Sequence, residues 1–579
     1  MVAWPRITLA VAALVLVSCS GADTEQAGGT GPTSSAATTT TVPSATTPEA
    51  TDTSASDSST TDRDTTDPTD PQPTEPDTST TETGNSQAAE PSTSDPDASG
   101  TDTSDPDTTD PQPTDPDANG TDSGGTDPSD AQPAEPEPPP AQPAWAEGLG
   151  DSLYPFLGNR GYDVLHYDID LDVEPAANTI TARAIITAQA SEDLTSFNLD
   201  LSGLDVGSVT VDGAGAEFSR SGHELSIRPA SALTSGARFA VVVAYSGSPE
   251  PINDPGVPFT TLGWRHQNDM ILTLSEPSGS MTWFPSNNHP SDKATFQIQI
   301  TVPEGLVAAS NGVLVNETTE SGRTAYTWQM NDPMATYLAA VYIGDLERVD
   351  HGPLYPGGPV IRDYVPSTAS PEIAEALAVT PDVIAFMEDL LGPYPFDTYG
   401  TVVTPFELGF ALENQTLSLH GLDTLAPGII VHEVAHQWLG NSVSPDDWSE
   451  IWLNEGFVTY VSHMIEDEHF GADLDHIMEQ VHGRLAATEE GPPKGIAVEE
   501  LFTFTVYYRG ALTLHALRGH TGDETFFEIL RAHYDRSAGG TTNTEEFLAI
   551  VDEFAGPEAV DLVEAWLFDE QMPDLVAAA

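Results

Sequence analysis

From residue 162 to about 344 the chain alternates apolar and polar positions in short runs. "HYDIDLDV" from His166, "TITARAIITAQA" from Thr179, "RFAVVVAY" from Arg238 and "TFQIQITV" from Thr295 each send every second side chain to one face, and Gly, Pro and Asn separate them. A period of two predicts strands buried on one side, here an antiparallel β domain of roughly two hundred residues. Beyond about residue 350 the period changes. "PEIAEALAVTPDVIAFMEDLLG", "GIIVHEVAHQWLG", "NEGFVTYVSHMIEDEHFG", "GALTLHALRGH" and "TEEFLAIVDEFAG" repeat apolar residues at three- and four-residue spacing, the mark of amphipathic helices. The fold class expected is multidomain α+β, with an N-terminal antiparallel β domain over 145–350 and a mainly helical domain over 351–579.

The first quarter of the chain has neither pattern. Residues 1–19 start with Arg6 as their only cation and continue with an apolar run from Ile7 to Val17. That run is too short to span a bilayer and reads as the core of an export signal. It ends in Leu16-Val17-Ser18-Cys19, with the only cysteine of the chain, and resembles the lipobox of bacterial lipoprotein signals. The resemblance implies lipid attachment at Cys19 and an anchor on the extracytoplasmic face of a bacterial membrane. An exported chain with one cysteine forms no internal disulfide. Residues 20–144 are rich in Thr, Ser, Pro and Asp, and "DPQPTEPD", "DPQPTDPD" and "DAQPAEPE" recur within them. With few large apolar residues, this stretch cannot offset its ordering entropy and is expected to be a disordered, extended spacer.

Charge narrows the function classes. The net charge is -73, and from Ser20 to Pro143 there are 26 acidic residues against one basic residue, Arg63. The remaining body is also acidic, with only Lys293 and Lys494 as lysines. Nucleic acid as a partner is excluded on this ground, since it calls for a basic surface. The acidity fits solubility and salty surroundings equally well.

Within "VHEVAHQW", His432 and His436 are one helical turn apart and flank Glu433. On a helix both imidazoles face one side and can hold one ion, with Glu433 beside it. A catalytic zinc site needs a third protein ligand and an open position for water. After eighteen intervening residues, His436 is followed by Glu455, in "WLNEGF".

This combination of His-Glu-x-x-His, eighteen residues and Asn-Glu-Gly resembles the gluzincin zinc aminopeptidases, peptidase family M1, which includes the alanyl aminopeptidases and the leukotriene-hydrolysing enzymes. The resemblance covers about residues 158–567 and implies a thermolysin-like catalytic domain. It also implies one Zn2+ ion held by His432, His436 and Glu455, with Glu433 as general base. The donor set by itself also suits cobalt or manganese. In "VYYRG" the resemblance places an oxyanion-stabilising tyrosine at Tyr507, with Tyr508 as its rival and Arg509 where a lysine is usual. In "GFALENQT" it places the carboxylate that holds a substrate's ammonium at Glu413, with Asn414 and Ala411 lining the same substrate site. In "LTLSEPSGSMTWFP" it places a second amine anchor at Glu276.

Several positions depart from the family pattern. Leu412 stands for a methionine, Phe410 for a glycine that here falls one residue early at Gly409, and Leu274 for a common glutamine. Ser462 occupies the place of a glutamate that orients a zinc histidine, so another group has to fix that ring. His463 beside it is expected to be an ordinary surface or core histidine, and Glu407 a solvated loop carboxylate. The sequence stops about seventy residues past Tyr507, so an open cleft without the roofing helical domain of longer members is expected.

The function expected is removal of the N-terminal residue from peptides with a free amine. Glu413 and Glu276 argue against one alternative, an endopeptidase of the same fold, and the presence of both Glu433 and Tyr507 argues against the other, a non-catalytic surface module that binds peptides.

Overall fold

The computed structural model describes residues 148–488 and 490–575. The export signal, Cys19 and the spacer lie outside the described residues. No helix among the described residues is long and apolar enough to cross a membrane.

The largest sheet runs in the order Val313–Glu320, Arg323–Met334, Ala294–Pro303, Tyr162–Glu174, Thr179–Ala190, Arg238–Gly247, Asp205–Val211 and Ala214–Gly215. Along Tyr162–Glu174 the residues Tyr167, Ile169, Leu171 and Val173 are buried, while Asp170, Asp172 and Glu174 between them are exposed. Tyr167 stacks on Phe296 of the neighbouring strand with ring centroids 4.7 Å apart. One pair in this sheet is parallel, Tyr162–Glu174 with Ala294–Pro303 and His166 opposite Thr295. Alternation tells which face is buried and carries no information on strand direction, so the sequence pattern missed this pair.

A second sheet of five strands includes Met270–Leu274, every residue of which is buried. That strand leads directly into Ser275 and Glu276. Ser275 Oγ donates to the Ala339 carbonyl at 2.9 Å and fixes the strand's exit.

From Leu346 a third sheet begins, in the order Leu346–Pro353, Val360–Pro366, Thr401–Val403, Ser418–His420 and Ala411–Leu412. Its edge strand Ala411–Leu412 immediately precedes Glu413. The helices that follow and flank it are α1 (Pro371–Leu377), α2 (Thr380–Leu391), α3 (Pro427–Ala435), α4 (Trp452–Phe470), α5 (Leu474–Thr488), α6 (Gly510–Thr521), α7 (Asp523–Ser537), α8 (Thr544–Ala555) and α9 (Pro557–Phe568). The single apolar stretch at 371–392 breaks into α1 and α2 because Pro381 has no N–H to donate to the carbonyl four residues earlier. Helix α4 is buried at every residue from Trp452 to Ser462. A helix apolar and buried on all sides forms the centre of a domain rather than its surface.

Lys293 ties the β domain to the catalytic domain. Its Nζ donates to the carbonyls of Asn441 at 2.9 Å, Ser442 at 2.8 Å and Gly540 at 3.2 Å. Two of these belong to the turn that leaves the His432–His436 segment.

Candidate metal centre and active site

Helix α3 starts at Pro427, where the ring suits the first turn, and it is shorter than its apolar pattern suggests. His436 is its C-cap, with its N–H on the His432 carbonyl at 3.2 Å. The chain turns away at Gly440, with φ +116, where a Cβ would lie 2.9 Å from His436 Nδ1. Glycine there leaves room for the imidazole.

The three atoms expected to hold the ion converge. His432 Nε2 and His436 Nε2 are 3.1 Å apart, and Glu455 Oε2 is 3.2 Å from the first and 3.5 Å from the second. A triangle of this size has its corners roughly 1.9 Å from its centre, so an ion just above it meets all three atoms at the roughly 2.0–2.1 Å that zinc requires. The Leu439 carbonyl can only accept, so the 3.0 Å contact from His436 Nδ1 puts a proton on Nδ1 and turns Nε2 to the centre. Ser462 makes no such contact. Its buried hydroxyl has no hydrogen-bond partner among the described residues, so it does not take the accepting role of the missing glutamate. His463 is turned to Glu466, 2.8 Å from its Nδ1.

Glu455 comes from the first turn of α4, and Tyr507 from a wide helical turn, Thr505–Arg509, that leads into α6. What lets these two elements meet is a pair of glycines. A Cβ on Gly456 would lie 2.8 Å from Gly510 Cα, and one on Gly510 would lie 2.8 Å from Gly456 Cα. The Tyr507 ring then stacks beside His432 with centroids 6.1 Å apart. Tyr508 faces away, stacked on Phe504 at 4.0 Å. Burial, reinforced by Glu455, Glu276, Glu413 and Glu433, holds the Tyr507 phenol well above its ordinary pKa, so it stays a neutral O–H donor. Arg509 is buried and caps α9, its Nε donating to the Trp566 carbonyl at 2.7 Å and its Nη2 to that of Asp569.

Glu413 is held from the zinc-binding segment itself. Its carbonyl accepts from Gln437 Nε2 at 2.9 Å and Asn441 Nδ2 at 2.7 Å. Gln437 Oε1 also accepts from the N–H of Thr416 at 2.8 Å. Neither Gln437 nor Asn441 was singled out by the sequence, since both act on main chain more than twenty residues away. Asn414 and Ala411 lie on the same loop, and the Asn414 amide donates to the Tyr342 hydroxyl of the β domain at 2.6 Å. Phe410, where the family has glycine, packs edge-on to Phe259 of the β domain at 6.0 Å.

Four carboxylates, Glu276, Glu413, Glu433 and Glu455, are buried around this centre. Among the described residues no lysine or arginine pairs with any of them. Glu455 stays ionised, at about 2, because His436 and His432 outweigh the effect of burial. Burial lowers His436, but Glu455, Glu413 and Glu433 outweigh it and push the ring up to about 10. Burial drives Glu433 and Glu276 well above the carboxylate range, with neighbouring carboxylates adding to the effect. Glu276 Oε1 and Glu413 Oε1 have no hydrogen-bond partner among the described residues. Such a pocket demands positive charge both at the triangle and at the two unbonded oxygens. The triangle's donor set and size fit zinc.

The chain matches two protein-family models, the Peptidase M1 N-terminal domain over residues 164–338 and the Peptidase family M1 domain over residues 375–566. An M1 zinc metallopeptidase from Deinococcus radiodurans, crystallised as a variant with a Tyr-Ser-Ala substrate, is 31% identical with a TM-score of 0.70. The match covers 74% of this chain and 99% of that one. The chain belongs to peptidase family M1. A two-domain M1 zinc metallopeptidase bound to L-arginine gives 30% identity and a TM-score of 0.71, over 75% of this chain and 100% of that one. Leukotriene A-4 hydrolase of Xenopus laevis is 24% identical over 72% of this M1 chain and 73% of its own length. Aminopeptidase M1-A of rice is 29% identical over 53% of this chain, which spans 38% of that relative's length. The β-rich domain followed by a helical catalytic domain is the two-domain M1 architecture.

Proposed function

We propose that this M1 peptidase is a zinc aminopeptidase that removes the N-terminal residue from peptides with a free amine. The observation that carries this reading is the cluster of four buried carboxylates that no lysine or arginine among the described residues pairs with. One of its oxygens, with the His432 and His436 nitrogens, suits one ion, and two further carboxylate oxygens, without a partner among the described residues, suit an ammonium.

His432, His436 and Glu455 would hold the zinc, which when bound polarises the scissile carbonyl and acidifies a water. Glu433 takes the proton of the attacking water and passes it to the leaving nitrogen. Its raised pKa suits it to both halves of that transfer. The Tyr507 hydroxyl donates to the oxyanion that develops on the carbonyl. Glu276 and Glu413 hold the ammonium, and so set the cut one residue from the amino end. Ala411 and Asn414 belong to the strand and loop that flank the first side chain.

A panel of aminoacyl fluorogenic amides, free and N-acetylated, tests this on chelator-treated and zinc-restored protein. Free amides should be hydrolysed only after zinc is restored, and acetylated ones not at all. Equal hydrolysis of both forms would make the protein an endopeptidase, and no hydrolysis of either a peptide-binding module. We further propose that the chain is exported and lipid-anchored through Cys19 on the outer face of a bacterial membrane. Cys19→Ser should release it from the membrane fraction, and equal retention of both forms would refute the anchor.

A further inference from the structure

A second cluster of metal-binding residue types lies in the β domain. Asp200 ends the strand Phe197–Asp200, and in the antiparallel register it faces Glu224, the first residue of Glu224–Arg228. His223 occupies the turn just before Glu224. Its Nε2 is 3.9 Å from Asp200 Oδ1 and 4.0 Å from Glu224 Oε1. One donor atom from each of the three residues lies within 4.8 Å of the other two.

The state of Asp200 points independently to a cation. The side chain has no solvent exposure. Its Oδ2 accepts from Gly158 N at 3.2 Å, Asn159 Nδ2 at 3.2 Å and Asn288 N at 3.0 Å. Its Oδ1 faces His223 and has no hydrogen-bond partner among the described residues, whereas the Glu224 side chain is met by that of Asn198. Buried carboxylate oxygens left bare are costly unless a cation meets them. Burial and the Glu224 charge push Asp200 well above the ordinary carboxylate range, which is the signature of unbalanced negative charge.

We propose that Asp200, His223 and Glu224, with the Phe156 carbonyl as fourth donor, form a second divalent-cation site of the zinc class. The Phe156 oxygen is 3.3 Å from His223 Nε2. One imidazole, two carboxylates and a carbonyl form a mixed nitrogen and oxygen set, which favours a transition ion over calcium. The triangle is wider than that of the catalytic ligands. His223 and Glu224 are 31% and 21% exposed, so small rotations of these two side chains close it, and they also give the ion its way in. Bound there, the cation would cross-link the 148–161 segment to the sheet of Phe197–Asp200 and Glu224–Arg228. It would be structural, separate from the catalytic ligands.

The test is zinc stoichiometry of the full chain, equilibrated at about micromolar free zinc and measured by plasma mass spectrometry, with the melting temperature read in parallel. Wild type should hold two ions per chain. His223→Gln, at a partly exposed turn, should fold, hold one ion, keep aminopeptidase turnover and lose the zinc-dependent part of the melting temperature. Asp200→Asn should also hold one. A single ion in wild type would mean that His223 simply donates to Phe156, and would overturn the proposal. Two ions retained in both variants would overturn it as well, and so would stabilisation by calcium that His223→Gln leaves intact.

Discussion

Glu276 from the β domain and Glu413 from the catalytic domain are buried together, and each acts on the other's ionisation. Two buried carboxyl groups acting on each other in this way are favoured when one keeps its proton. Burial, and then the Glu413 charge, raise Glu276 well above its ordinary range and make it the proton holder. An arriving ammonium, already positive, should displace that proton. Binding of an amino-acid amide to the Glu433→Gln protein near neutral pH is expected to release about one proton, because both substrate amine and carboxylates then bind charged. Calorimetry in two buffers of different ionisation enthalpy reads this directly. If Glu276→Gln added to that background released as many, the proton held by Glu276 would not exist.

Removing the base should separate chemistry from metal binding. Glu433→Gln is expected to lower kcat by about a hundred- to ten-thousand-fold while the protein keeps its catalytic zinc, since Glu433 supplies no corner of the donor triangle. Metal analysis alongside kinetics checks both halves. Loss of zinc from this variant would place Glu433 among the ligands instead.

The two tyrosines make an internal control. Tyr507 stacks beside His432, whereas Tyr508 stacks on Phe504. Tyr507→Phe should cost about a hundred- to a thousand-fold in kcat with little change in KM, and Tyr508→Phe only a few-fold. A reversed order would move the oxyanion donor to Tyr508.

Gly456→Ala should be damaging although it adds a single methyl. The new Cβ meets the Gly510 backbone at 2.8 Å, and backbone cannot rotate away. Overpacking of this kind costs about 1–3 kcal/mol, and it separates the helix carrying Glu455 from the turn carrying Tyr507. A melting curve should show the destabilisation, and kcat should fall with it. Unchanged values of both would show that the helices have slack at this crossing.

Much of this was readable in the chain because it is local. The alternation from Thr179 to Ala190 coincides with one strand, residue for residue, and the spacing of His432, His436 and Glu455 encodes a triangle because helix geometry is regular. What could not be read involves contacts distant in sequence. Direction of pairing between Tyr162–Glu174 and Ala294–Pro303 leaves no trace in polarity. Arg509 reads as a retained positive charge, but its partners are carbonyls at the end of α9, about sixty residues on. Gln437 and Asn441 read as the tail of an amphipathic helix, and their role emerges only when the Glu413 loop folds back on them. Asp200 and Glu224 become a pair only through strand register.

The hold of Gln437 and Asn441 on the Glu413 carbonyl has a wider consequence. On the function proposed above, the span from ammonium holder to hydrolytic centre is set by this hold on the Glu413 main chain, independently of the side chains that line the space between. The enzyme would then carry a built-in gauge one residue long, and substitutions such as Phe410 and Leu412 would retune which residue is taken without altering how many.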